Sequence, residues 1–84
     1  ILEFIKQEPL FKEAAEIVFS AENWNGSSVT LLQFKLKLGY NRAGRIIDIL
    51  EIAGIIGPFR GKESRSIIPR TQQSFNNILN KFYE

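Results

Sequence analysis

LGYNRAGRIIDILEIAGIIGP, residues Leu38 to Pro58, carries one long helical pattern between two glycines, Gly39 and Gly54. Counting ~100° per residue from Asn41 puts Ala43, Ile46, Ile47 and Leu50 on one side of the wheel. Asn41, Arg45 and Asp48 fall on the opposite side, within roughly 60° of one another. Arg42 lies on the flank. The spacing predicts a helix from about Tyr40 to Ala53, buried on its apolar face and stopped by Gly54. Ile52 fits poorly: it falls on the polar face near the helix end. Either the C-terminal helix covers it or it meets a partner.

The residues before this helix predict a second one joined to it by a tight turn. Thr30 with Gln33 matches a capping box, giving a helix from Leu31 to about Leu38 that Gly39 ends. SSVT ahead of it reads as a short strand. Two helices joined by a short Gly-bearing turn are the helix-turn-helix pattern. After Gly54, IIGPF and SRSIIP flank RGKE, two short β runs around a loop, hence a hairpin.

Upstream, EPLFKEAAEIVFSAE reads as the first helix, with Pro9 at its first position and Phe11, Ala14, Ala15 and Val18, with Ile17 beside them, as its buried stripe. Residues 1–7 read as a linker remnant or a short docking segment. NWNGSS is a loop by composition, with Trp24 expected over a core edge. TQQSFNNILNKFYE closes the chain with Phe75, Ile78, Leu79 and Phe82 at helical spacing, a last helix packing back on the core. The order is helix, short strand, helix, helix, hairpin, helix: a mainly α (α+β) winged helix-turn-helix. The expected boundaries are a remnant over 1–7, the winged-helix domain over 8–70 and a packing helix over 71–84.

Bulk composition narrows the function. At 84 residues and 44% hydrophobic content the chain is one small folded domain. No run approaches the ~20 apolar residues of a membrane span, and no signal peptide is legible. The chain opens on ILEF without Met, which reads as a piece of something longer. It has no Cys and no His, which removes disulfides, Cys/His metal sites and His- or Cys-based catalysis. The lack of Cys fits a reducing cytoplasm. No cofactor is expected, and no nucleophile–base set points to an enzyme.

The net charge of +2 is unevenly spread. Residues 1–34 hold two lysines against five glutamates, a net −3; residues 35–84 hold nine basic residues against four acidic ones, a net +5. A basic half suggests a polyanionic partner. In a recognition helix, Arg reaches G O6 and N7, Asn suits adenine, and Asp accepts from cytosine N4. Asn41, Arg45 and Asp48 are therefore candidate base readers. Arg42, Arg60, Lys62 and Arg65 are candidate phosphate contacts, with Arg70, Lys35 and Lys37 as weaker additions. Each group also has a plainer reading. Asn41 serves equally as a helix N-cap, Arg45 with Asp48 as a surface pair, and the hairpin charges as solubilising edge residues.

SVTLLQFKLKLGYNRAGRIIDILEIAGIIGPFRG resembles the C-terminal gamma domain of the FtsK/SpoIIIE DNA translocases. The family pattern runs S-x-S/T-L-L-Q, then G-Y-N-R-A-x-R-I-I/M-D/E-x-L-E-x-x-G-I-[IV]-G-P, then a wing rich in Gly, Lys and Arg. PLFKEAAEIV is similar to that domain's first helix, so the resemblance covers about residues 8–70. It implies a winged helix that binds short, G-rich, polar double-stranded DNA sequences and so orients the motor toward the chromosome terminus at cell division. It also implies contact with a XerD-type recombinase, and a parent anchored in the inner membrane whose gamma domain is cytoplasmic and touches no membrane. The family's DNA-reading residues map onto Asn41, Arg45 and Asp48, with Arg42 beside them.

The chain departs from the family at the wing, where G-S-K-P-R-E is replaced by GKESRS from Gly61 to Ser66. Arg65 is kept, Glu63 takes the lysine position with Lys62 one place earlier, and Ser64 replaces Pro. Phe34 stands where the family has Arg. GPFRGKE is not a Walker A loop, because the G-x-x-x-x-G-K-[ST] spacing and its Ser/Thr are missing. Two rival readings are a protein-interaction winged helix, motivated by Ile52, the altered wing and the closing helix, and a free-standing transcriptional regulator.

Overall fold

A computed structural model describes residues 2–21, 27–58 and 66–83. The central helix lies where its periodicity puts it. We label the helices α1 (Leu2–Gln7), α2 (Phe11–Ser20), α3 (Ser28–Leu36), α4 (Tyr40–Ile52) and α5 (Gln72–Asn80). Ala43, Ile46, Ile47 and Leu50 of α4 are buried, as the wheel requires. α3 packs on both α4 and α2, and α2 also reaches α4. Every helix adds to one core, from Ile5 on α1 to Phe75 and Leu79 on α5.

The helix boundaries differ from the sequence reading in physically specific ways. Residues 2–7, part of the stretch read as a linker remnant or a short docking segment, form α1, and Ile5 is buried there. Pro9 lies in the turn before α2 rather than at its first position. In that turn Glu8 Oε2 accepts a hydrogen bond from the Leu10 backbone N–H at 3.0 Å.

SSVT is helix, not strand. The Ser27 hydroxyl accepts from the Thr30 N–H at 3.1 Å and caps α3 from Ser28 onward. The expected Thr30–Gln33 capping box is therefore displaced by one turn. Gly39 does not end this helix. Lys37 does, in the left-handed region at φ 55°, while Gly39, at φ −71° and ψ 164°, is the N-cap of α4. Asn41 is thus inside the helix, and its reading as a cap falls away.

At the far end of α4, Gly54 takes φ 89°. The Ile55 N–H then donates back to the Leu50 carbonyl at 3.0 Å, the closure typical of a glycine helix stop. Ile55 and Ile56 pass directly into the core. Ile56 pairs with Ile67 in an antiparallel bridge, flanked by bonds from Gly57 N–H to Ser66 O at 2.8 Å and from Ile68 N–H to Ile55 O at 3.0 Å. A Cβ on Gly57 would meet Ser66 Oγ at 2.5 Å, so the two segments approach closely there. This bridge is what the described residues contain of the expected hairpin, and no longer strand is formed among them. Residues 59–65 and 22–26, with Arg60, Lys62, Arg65 and Trp24, lie outside the described residues.

α5 is capped by Thr71, whose hydroxyl accepts from the Ser74 N–H at 3.0 Å. Its Phe75 ring stacks on Phe19 of α2 at 4.3 Å between centroids and 8° between planes. Beyond its end, Phe82 meets Phe11 edge-on at 6.1 Å. The expected packing of this helix on the core is realised against α2.

Candidate nucleic-acid interface

The buried stripe of α4 fixes its rotation about its own axis. That leaves Asn41, Arg45 and Asp48, at i, i+4 and i+7, on the exposed side. All three are exposed, and among the described residues no ion pair joins Arg45 to Asp48. The surface-pair reading therefore lacks its bond. An Arg, an Asn and an Asp in one row offer a donor fork, a mixed donor–acceptor and an acceptor, the set needed to read base edges in a major groove.

Arg42 differs. Its Nε donates to Glu8 Oε1 at 3.2 Å and its Nη2 to Glu8 Oε2 at 2.9 Å. The side chains are 42% and 14% exposed, respectively. The Arg42 hydrogen bonds hold the Glu8 carboxyl below the usual glutamate range. Partial burial opposes this, while the Leu10 N–H and the charge of Arg45 add to it. The same contact pushes the Arg42 guanidinium further up from its ordinary value. Glu8 had no signal in the sequence. Its partner is 34 residues away, and an isolated glutamate before a proline looks like any other acidic residue of the N-terminal half.

The neighbouring surface is mixed. Lys35 and Lys37 are exposed near the end of α3, and Arg70 is exposed before α5. Lys35 Nζ lies 5.9 Å from the Phe34 ring centroid, and Phe34 itself is 70% exposed. Tyr40, at the start of α4, is also exposed. Ile52 is 69% exposed, so of the two explanations for its place on the polar face, cover by α5 is excluded. A groove of about 380 Å³ between α2 and α5 takes no lining residue from α4. No group of His, Cys, Asp and Glu suited to a metal occurs among the described residues. No helix among them is long and apolar enough to cross a membrane.

The Ftsk gamma domain family matches residues 5–70. The DNA translocase FtsK of Borreliella burgdorferi is 46% identical over 61 residues, 73% of this chain. That of Chlamydia muridarum is 48% identical over 61 residues, again 73%. That of Chlorobaculum tepidum is 35% identical over 74 residues, 88% of this chain. The chain spans only 7% to 9% of the length of these three relatives. A match over residues 5–70, most of its length, makes this chain a member of the FtsK gamma domain family.

Proposed function

We propose that this chain is the sequence-directed double-stranded DNA-binding module of an FtsK-type DNA translocase. It orients translocation by recognising short, G-rich, polar sequences during chromosome segregation and cell division. The observation that carries this reading is the exposed row Asn41, Arg45 and Asp48, opposite the four buried residues of α4, in a chain whose relatives bear the name DNA translocase. In this reading α3 and α4 form the helix-turn-helix, and the Ile56–Ile67 bridge is the base of a wing. Arg45 grips a guanine, Asn41 an adenine, and Asp48 accepts from a cytosine. Arg42, Arg60, Lys62 and Arg65 hold phosphates.

The module does not hydrolyse ATP. The motor belongs to the remaining nine-tenths of proteins such as its relatives. The domain works in the cytoplasm without touching the membrane, and a XerD-type recombinase is its second partner. The exposed side chain of Ile52 favours one rival, a protein-docking winged helix, which requires no salt-dependent DNA affinity.

Arg45→Ala separates the two. On the DNA-reading account it costs about 1–3 kcal/mol of binding and relaxes sequence preference, measured by fluorescence anisotropy on a G-rich duplex and a composition-matched scramble. Native discrimination in the variant would remove Arg45 from the reading set.

A further inference from the structure

The Glu8–Arg42 contact poses a problem for a DNA-binding face. A carboxylate beside a helix that meets a polyanion repels phosphate, and Glu8 is only 14% exposed, so it is held in place there. Its Oε2 is fixed twice, by Arg42 Nη2 at 2.9 Å and by the Leu10 N–H at 3.0 Å. A guanidinium carries five N–H donors in a rigid plane. Glu8 occupies the edge formed by Nε and Nη2, which leaves three donors. The side chain remains 42% open to solvent, next in sequence to Asn41 and one turn from Arg45.

From this geometry, and resting on the DNA-binding reading above, we infer that Glu8 is a positioning residue for phosphate contact. It clamps Arg42 to the turn before α2 so that the free edge of the guanidinium is presented, already ordered, beside the base-reading row. An arginine fixed before binding loses less rotamer freedom when a phosphate arrives than one swinging free. The clamp also ties the first turn of α4 to the turn before α2, two parts of the chain that share no local sequence signal.

This role predicts an effect opposite in sign to plain charge. Removing a carboxylate from a DNA-binding surface ordinarily tightens binding, because less negative charge opposes the phosphates. If Glu8 positions Arg42, its removal weakens binding. The experiment is fluorescence anisotropy of the 84-residue chain on the G-rich duplex and on its scramble, at roughly 50 and 200 mM salt. It compares the unsubstituted chain with Glu8→Ala, Glu8→Gln, Arg42→Ala and the Glu8→Ala/Arg42→Ala pair, with thermal melts alongside. Glu8→Gln keeps one acceptor oxygen, enough for the Leu10 N–H and Arg42 Nη2, while its NH2 replaces the acceptor of Arg42 Nε. It therefore loosens the clamp without deleting the side chain and reports even if Glu8→Ala lowers the fold's stability.

Glu8→Ala is expected to weaken binding to both duplexes alike, roughly threefold, and to lower the salt slope by about one. Glu8→Gln should lie between it and the native chain. In the Arg42→Ala background, Glu8→Ala should no longer weaken binding. Native or tighter binding by folded Glu8→Ala or by Glu8→Gln overturns the inference, as does an equal loss with and without Arg42. If the unsubstituted chain binds neither duplex in a salt-dependent way, the DNA-binding reading falls and this inference with it. If the chain binds but the Glu8 variants behave as native, the inference alone fails.

Discussion

Arg42 and Arg45 are three residues apart on α4, and the structure treats them differently. Arg45 is exposed with no ion pair among the described residues, whereas Arg42 is tied to Glu8 through two hydrogen bonds. The pair has a pH signature. Glu8 is held below the ordinary glutamate range chiefly by the Arg42 hydrogen bonds. Its folded-state value is thus lower than its unfolded one. The stability it contributes is fully present above the ordinary value of about 4.3, and is lost as pH falls through the lowered native value. Glu8→Gln should therefore melt earlier than the native chain at neutral pH, and the gap should narrow as pH falls through the lowered native value of Glu8. A gap that stays constant with pH would mean that the carboxylate charge contributes nothing to the fold. The effect should be modest, because much of the Arg42 side chain faces water.

At the scale of the elements, the two glycines that bracket α4 have different work. Gly54 sits at φ 89°, where a Cβ costs about 1–2 kcal/mol. Gly39 sits in extended backbone with open space around its Cα. Gly54→Ala should lower stability by about 1–2 kcal/mol in denaturant titrations, while Gly39→Ser, which offers a capping hydroxyl, should raise it by a few tenths of a kcal/mol. Equal effects at both sites would contradict the assigned helix stop.

This asymmetry also shows what was legible beforehand. α4 was readable to within a residue or so, because four apolar positions and a terminal glycine all point the same way. The exposure of the candidate row Asn41, Arg45 and Asp48 followed from the same periodicity. The start of α3 was not readable, because Ser27, Ser28 and Thr30 all suit a cap and only the bond from Thr30 N–H to Ser27 selects one. The helix end at Lys37 was hidden for a related reason. A lysine takes the left-handed conformation that the sequence assigns to the nearby Gly39. α1 is too short to show a period, and Glu8 finds its partner only through tertiary packing.

Across the whole molecule, the family match ends at residue 70, yet the core does not. Phe75 and Leu79 of α5 are buried, and Phe75 stacks on Phe19. The radius of gyration is 11.8 Å, close to the roughly 12 Å expected of one domain this long. α5 is therefore a structural part of the domain rather than an appendage. Phe75→Ala should cost about 3–5 kcal/mol, a large share of the ~5–15 kcal/mol that such domains possess. A thermal melt close to that of the native chain would show that α5 is dispensable.

The charge pattern belongs to the same scale. The first part of the chain is acidic and the second part basic, and on the proposed DNA-binding reading the basic part leads the approach to the polyanion. The measurement that reaches the central claim is the affinity of the chain for a G-rich duplex and for its composition-matched scramble, by fluorescence anisotropy at two salt concentrations. Tighter binding to the G-rich duplex at both salts is the predicted result. Equal affinity for the two duplexes, or no binding to either, would contradict it.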